Sequence, residues 1–208
     1  MTYYPVSKRL LDIFLSAISL LILSPLFYVV MILVKLDSTG PVFFKQKRIG
    51  QDFRPFNLIK FRSMANNKKE TSSEFDPGSV SAVTKMGYFL RETKLDELPE
   101  LINILNGDMS IVGPRPEVEK YVQAYPEDFS VILKIRPGLS DYASIKYHSE
   151  ERILASQPNP EQFYLNVILP DKLRLARRYA EEISFSTDLR IIKDTLRSFL
   201  ARDIVSNG

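Results

Sequence analysis

The chain has 208 residues, enough for one domain with a real core and too few for two comfortable ones. It carries no cysteine and a single histidine, His148, which excludes disulfides, thiolate or multi-histidine metal sites and Cys nucleophiles. A net charge of +3 and a pI near 9.0 suit phosphate-bearing ligands, an anionic membrane face and nucleic acid alike, so chemistry here falls to carboxylates, lysines and arginines.

Ile13 to Val34, "IFLSAISLLILSPLFYVVMILV", is 22 residues without a charge. As a helix it covers about 33 Å, the hydrocarbon thickness of a bilayer, and predicts membrane association. It is long for a signal-peptide core and lacks a small-x-small cleavage site before Lys35. Ser24-Pro25 sits at its centre and predicts a helix break. Lys8 and Arg9 precede the stretch, and Lys35, Lys45, Lys47 and Arg48 follow it, so both ends carry the cytoplasmic charge signature. A helix-break-helix that enters and leaves one leaflet satisfies that signature at both ends; a kinked spanning anchor is the competing reading. Residues 1–36 are therefore read as a re-entrant membrane helix and 37–208 as a domain on the cytoplasmic face.

Beyond Gly40-Pro41, "VFFKQKRIGQDFRPFNLIKFRSM" reads as two strands around a turn at Gly50-Gln51-Asp52. Ala65 to Ser81 is polar and reads as a surface loop. Val83, Met86, Phe89 and Leu90 return to helical spacing, facing either the core or the membrane surface. Leu98, Leu101, Ile102 and Leu105 form one helical face, with Asp96 as the expected N-cap, Pro99 in the first turn and Gly107 as the C-terminal cap. Leu173 to Glu182 and Thr187 to Ile204 read as amphipathic helices. The fold class is α+β: mainly helical with a small β-hairpin, monotopic in the membrane, with amphipathic interfacial helices.

An acidic pair at a helix start, Asp96-Glu97, has a plain explanation in capping and the helix dipole. The same placement keeps an Asp ionised and aims it at whatever binds there, as a nucleophilic carboxylate requires. Arg91 stands upstream, Arg115 in "GPRP", Arg136 in "RPG", and Lys60 and Arg62 in "KFRS". Rigid guanidinium groups suit bidentate phosphate binding, and a membrane segment beside them suggests a substrate both phosphorylated and lipidic.

"KLDELPELINILNGDMSIVGPRP", with "GPVFFKQKRIG", "FNLIKFRSM" and "RPGLS", resembles the bacterial sugar transferase family, the monotopic polyprenyl-phosphate phosphoglycosyl transferases. The likeness runs from the apolar N-terminus through the final helix, and the length is similar to the family's minimal catalytic unit. It implies transfer of a sugar 1-phosphate from a UDP-sugar to polyprenyl (undecaprenyl) phosphate at the cytoplasmic face of the bacterial inner membrane, releasing UMP, as the first membrane step of glycoconjugate assembly. By the resemblance, Asp96 is the nucleophile that carries the phosphosugar and Glu97 is its acidic partner for the lipid phosphate. It also implies Mg²⁺ near Asp96; Arg91, Arg115 and Arg136 as phosphate binders, with Lys60 and Arg62 beside them; and Ser24-Pro25 as the membrane helix break. The implied partners are the donor, the acceptor and membrane lipids, with no nucleic acid; the oligomeric state stays open. One departure stands out: after "RPG" many members continue with a "TGLAQVNGR"-like stretch, whereas this chain has "LSDYASIKYHSEERILA", so the donor sugar is left open. His148 lies in that segment and reads as a surface or hydrogen-bonding residue. Two rival readings are a membrane-bound Mg²⁺-dependent nucleotide-sugar pyrophosphohydrolase and a non-enzymatic scaffold whose arginines bind anionic lipid.

Overall fold

The computed structural model of the protein describes residues 5–65 and 83–205. The polar stretch read as a loop, apart from its first residue, lies outside them. The chain opens with α1, Pro5–Asp37, a single helix that includes Pro25. The separate pair of helices expected around Ser24-Pro25 is therefore not what is observed. Proline lacks the N–H that would reach the Leu21 carbonyl one turn back; the Ser24 hydroxyl donates to that carbonyl instead, at 2.8 Å. Such local repair lets the chain stay helical across a proline.

One stripe of α1 faces the rest of the protein: Asp12, Ser16, Val30 and Val34 are buried, with Leu20, Phe27 and Met31 packed beside them. The opposite side is apolar and open, with Leu21 75 % and Leu36 78 % exposed. Polar contacts fix the N-terminal end. Lys8 Nζ pairs with Asp188 at 2.6 Å, and Arg9 donates to the Ile104 and Leu105 carbonyls at 2.6 and 2.9 Å. Asp12 accepts from the Ile111 N–H at 3.1 Å.

Strands β1 (Phe43–Ile49) and β2 (Pro55–Phe61) form the expected antiparallel hairpin, in register from Phe43 opposite Phe61 to Ile49 opposite Pro55. Asp52 and Phe53 in its turn have φ of 54° and 59°. Phe27, Phe43 and Phe61 pack their rings at 4.8 to 6.0 Å between centroids, joining α1 to the hairpin. Helix α2 (Lys85–Thr93) is capped by Thr84, whose side chain accepts from the Gly87 N–H. It divides the apolar residues read there: Leu90 is buried and Met86 packs on the same cluster, while Phe89 is exposed, as is its neighbour Tyr88. Helix α3 (Glu100–Asn106) ends where Gly107 takes φ of 95°, as its cap position requires.

A second, parallel pair, β3 (Ser110–Val112) with β4 (Gly138–Ser140), was not apparent in the sequence. Its segments of three residues are too short to show a period. At this crossing the backbones touch: a Cβ on Gly138 falls 2.0 Å from Gly113 N. Gly138→Ala is expected to cost about 3 kcal/mol, read as a lowered thermal midpoint. Short helices α4 (Glu119–Ala124), α5 (Pro126–Ile132), α6 (Tyr142–Lys146), α7 (Glu150–Ala155) and α8 (Pro160–Phe163) surround the main core with α9 (Leu169–Glu182). A π-helical turn at Tyr164–Ile168 links α8 to α9, and α10 (Phe185–Val205) packs on β3, β4 and α6. Both C-terminal helices form where they were expected; α9 buries Leu173 and Ala176, while α10 turns Ile191 to the core and leaves Leu189 and Leu196 exposed.

Candidate active site

Helix α2 stops at Lys94, whose left-handed backbone (φ 57°) turns the chain into a single 3₁₀ turn, Leu95–Glu97. Leu95 and Leu98, three apart, pack on the apolar cluster formed by Val30, Val34, Phe61 and Leu90. Asp96 lies inside this turn and makes no capping bond, so the expected N-cap role is corrected. The pair instead forms the elbow between α2 and α3.

Asp96 is 7 % exposed, and its Oδ1 is buried without a hydrogen-bond partner. Burial, reinforced by the Glu97 charge, outweighs Lys60, Lys94 and Arg91 and pushes its carboxyl up to about 6. The carboxyl was expected to be ionised at neutral pH; desolvation raises it, but the group is still largely ionised at pH 7. Glu97 has the opposite environment. Burial disfavours its charge, but Arg115 and Lys60 overcome that and hold it well below the usual carboxylate range. Its Oε1 accepts from Arg115 Nη2 at 2.5 Å and from Lys60 Nζ at 2.8 Å.

Glu100 completes the cluster and was not singled out in the sequence. It is 0 % exposed, with Oε1 at 3.1 Å from Arg115 Nη2 and 3.5 Å from Lys60 Nζ. Burial is the larger influence on its carboxyl and raises it despite Arg115. The available signal was a charge four residues after Asp96 and three after Glu97, hence on one side of a helix with them. The Lys60 ammonium, although burial works against its charge, is held above its ordinary range by Glu97 and Glu100. Arg115 is fixed further: Nη1 donates to the Leu139 carbonyl at 3.0 Å, and its backbone N–H donates to Asp141 Oδ2 at 3.1 Å. Asp141 also caps α6 by accepting from the Ser144 N–H.

The cations read from the sequence separate into two groups. Lys60, Arg115 and Arg91 lie around Asp96 and Glu97. Arg91 donates from Nε to the Ser63 hydroxyl at 3.0 Å and faces Glu151 at 3.7 Å. Arg62 is a correction: it is buried with its guanidinium turned to the end of α1, donating to the carbonyls of Val34 (3.2 Å), Ser38 (2.7 Å) and Pro41. It ties α1 to the hairpin and has no place in the phosphate cluster. Arg136 is a second correction, since it donates to the Gly107 carbonyl at 3.1 Å, at the far end of α3 from Asp96. His148 is exposed.

Among the described residues, no group of three or more Asp, Glu or His side chains is arranged to hold a metal. Lys60 and Arg115 occupy the space between the carboxylates. The unpartnered Asp96 Oδ1 fits a hard cation that takes one protein oxygen and completes its shell with ligand phosphates.

The bacterial sugar transferase family profile matches residues 3–202. The chain is 41 % identical over 169 residues to a UDP-glucose:undecaprenyl-phosphate glucose-1-phosphate transferase of Escherichia coli K12, covering 77 % of this chain and 36 % of that one. It is 37 % identical over 145 residues to a UDP-N-acetylgalactosamine-undecaprenyl-phosphate N-acetylgalactosaminephosphotransferase of Aeromonas hydrophila, covering 68 % and 34 %. With the exopolysaccharide production protein ExoY of Sinorhizobium fredii it shares 39 % over 150 residues, 65 % and 66 % of the two chains. The chain thus matches about a third of the length of the first two relatives and about two thirds of the third. With a match along nearly its whole length, the chain belongs to the bacterial sugar transferase family.

Proposed function

We propose that the protein transfers a sugar 1-phosphate from a UDP-sugar to undecaprenyl phosphate in two steps through Asp96. In the first, an Asp96 carboxylate oxygen forms a bond to the sugar-bearing phosphorus while the bond from that phosphorus to the oxygen of UMP breaks. In the second, a phosphate oxygen of the lipid attacks the same phosphorus and Asp96 departs as a carboxylate, leaving a polyprenyl diphosphate sugar. The observation that carries this reading is the buried Asp96 oxygen with no partner, set among Lys60, Lys94 and Arg91. Burial strips the nucleophile of solvent without spending its lone pairs on protein donors. The names of the relatives support the donor and acceptor classes.

Glu97, already committed to Arg115 and Lys60, is a poor proton acceptor. Its part is to hold those two cations beside Asp96, where they stabilise charge developing on the diphosphate. Arg91, half-exposed at the same elbow, offers donors to the incoming phosphates. Asp96 would be the residue to hold Mg²⁺, which would supply charge neutralisation for the diphosphate when bound.

The membrane reading extends to topology: α1, bending at Pro25 without losing its helical form, stays in one leaflet of the inner membrane, so that both ends return to the cytoplasmic face where the domain lies. The polar grip on Lys8, Arg9 and Asp12 at one end and the packing of Val30 and Val34 at the other support it, since both ends rest on the same body. The exposed Tyr88 and Phe89 of α2 and Phe185 and Leu189 of α10 suit the interface beside it. As the chain has no cysteine, Val6→Cys gives a single thiol at an exposed position. It is expected to react only with reagent on the cytoplasmic side; labelling from outside would indicate a spanning helix.

The reaction is tested by supplying the protein, in lipid, with undecaprenyl phosphate and a panel of UDP-sugars. UMP release together with sugar label entering the organic phase supports the transfer. Free sugar phosphate released without acceptor would establish a pyrophosphohydrolase instead.

A further inference from the structure

A second buried polar network lies behind Arg115, and the chemistry above uses none of it. Glu117, two residues past Arg115, is buried; its Oε1 accepts from the Tyr164 hydroxyl at 2.6 Å, and its Oε2 is 3.5 Å from Arg48 Nη1. Arg48 also donates to the Pro116 carbonyl at 3.1 Å, and the Ile49 N–H donates to the Glu117 carbonyl at 2.9 Å. The segment that carries Arg115 is therefore pinned on its C-terminal side. At the centre stands Lys172 of α9. Its ammonium donates to the Tyr164 hydroxyl at 3.2 Å, lies 3.7 Å from Glu117 Oε1, and pairs with Glu150 at 2.6 Å.

Glu150 is the first residue of α7, and the next two residues reach α2. Glu151 faces Arg91 at 3.7 Å, and Arg152 pairs with Glu92 at 3.1 Å. Lys172 thus ties together two pieces of chain, one leading to Arg115 and the other to Arg91. A single cation between Glu117 and Glu150 is well suited to this, because removing it leaves two carboxylates facing each other in a poorly hydrated space and drives them apart.

We propose that Lys172 is a positioning residue that sets the separation of Arg91 and Arg115 and so tunes their joint grip on a diphosphate. The inference rests on the reading that these two arginines serve the donor's diphosphate. It predicts that disturbing Lys172 weakens diphosphate binding through Arg91, although Lys172 touches neither arginine.

The test is calorimetric titration of UDP into the full-length protein in lipid nanodiscs, with unaltered protein, Lys172→Met, Glu150→Gln, Arg91→Ala and the Lys172→Met/Arg91→Ala double variant. Lys172→Met is expected to weaken UDP binding about tenfold and Glu150→Gln about threefold; in the Arg91→Ala background Lys172→Met should add less than about twofold. Losses that multiply in the double variant, or a fall in melting temperature with UDP affinity unchanged, would overturn the proposal. Should Lys172→Met not fold, Glu150→Gln decides alone: it keeps the side chain's shape and removes only its charge from one contact, and an unchanged UDP affinity there counts against the tie. UMP release by the unaltered protein, measured alongside, reports on the reaction itself and is indifferent to Lys172.

Discussion

Asp96→Asn is expected to abolish turnover, by about 10⁴-fold or more, while leaving the protein folded and more stable than the original. Loss of activity follows from the nucleophile: an amide oxygen cannot form and then release the phosphoryl ester. The gain in stability follows from burial. Burial lifts the Asp96 carboxyl from 3.8 in the unfolded chain to about 6 in the folded one, so the native state takes up a proton between those values. Its charge is therefore a burden above pH 6, and that burden is relieved as pH falls toward 4. At pH 7 it is on the order of 1 to 3 kcal/mol, which a neutral side chain of the same shape avoids. Oδ1 has no hydrogen bond to lose. Chemical denaturation at pH 7 and at pH 4 checks this: Asp96→Asn should gain at pH 7 and little at pH 4. Turnover should rise between pH 5 and 7 as the carboxylate ionises, with an apparent pKa of about 6.

Arg115→Ala is the second large effect, expected to cost about 3 to 5 kcal/mol as well as activity. The guanidinium donates to both Glu97 and Glu100, and Glu100 has no access to water, so removal strands two carboxylates beside one lysine. Glu97, held well below its ordinary value, contributes stability that is present above the unfolded carboxylate pKa and is lost as pH falls through the folded one. Without Arg115 that contribution disappears, so the penalty should be greatest near neutral pH and smaller at pH 4. Adding Glu100→Gln to Arg115→Ala should recover part of the loss, because one of the stranded charges is gone. Thermal melts of the single and double variants across pH 4 to 8 measure both effects. Equal penalties at every pH would mean that packing, not charge, dominates.

The parts of this architecture that were legible beforehand are those with a period or a punctuated end. The alternating strands around Gly50, a helix closed by Gly107 and two C-terminal helices all appear where their patterns place them, although α3 starts only at Glu100 and buries Leu101 and Ile104 rather than the whole Leu98-Leu101-Ile102-Leu105 stripe. The β3–β4 pair is different, since three-residue strands joined by 25 intervening residues depend on the close approach of Gly113 and Gly138, a contact no local pattern encodes. Within the site, Asp96, Glu97, Lys60, Arg91 and Arg115 come together, but Arg62 and Arg136 turn to backbone carbonyls instead. The Pro-Gly after Arg136 and the apolar strand before Arg62 were legible, but neither reveals which way the side chain points. Glu100 escaped notice because a helix-forming acid beside an apolar stripe looks like surface; only the arrival of Arg115 from a distant loop lets it be buried. Pro25 carried a real local rule, yet the Ser24 hydroxyl at the freed carbonyl let the helix continue.

Intact-mass spectrometry of the protein after incubation with a UDP-sugar in the absence of any lipid acceptor addresses the covalent role of Asp96. A mass increase equal to one sugar phosphate, mapped to Asp96, lost on adding undecaprenyl phosphate and missing in Asp96→Asn, is the expected result. Turnover with lipid acceptor but no such adduct on the acceptor-free protein would mean that the phosphosugar passes directly between substrates and that Asp96 is not a nucleophile.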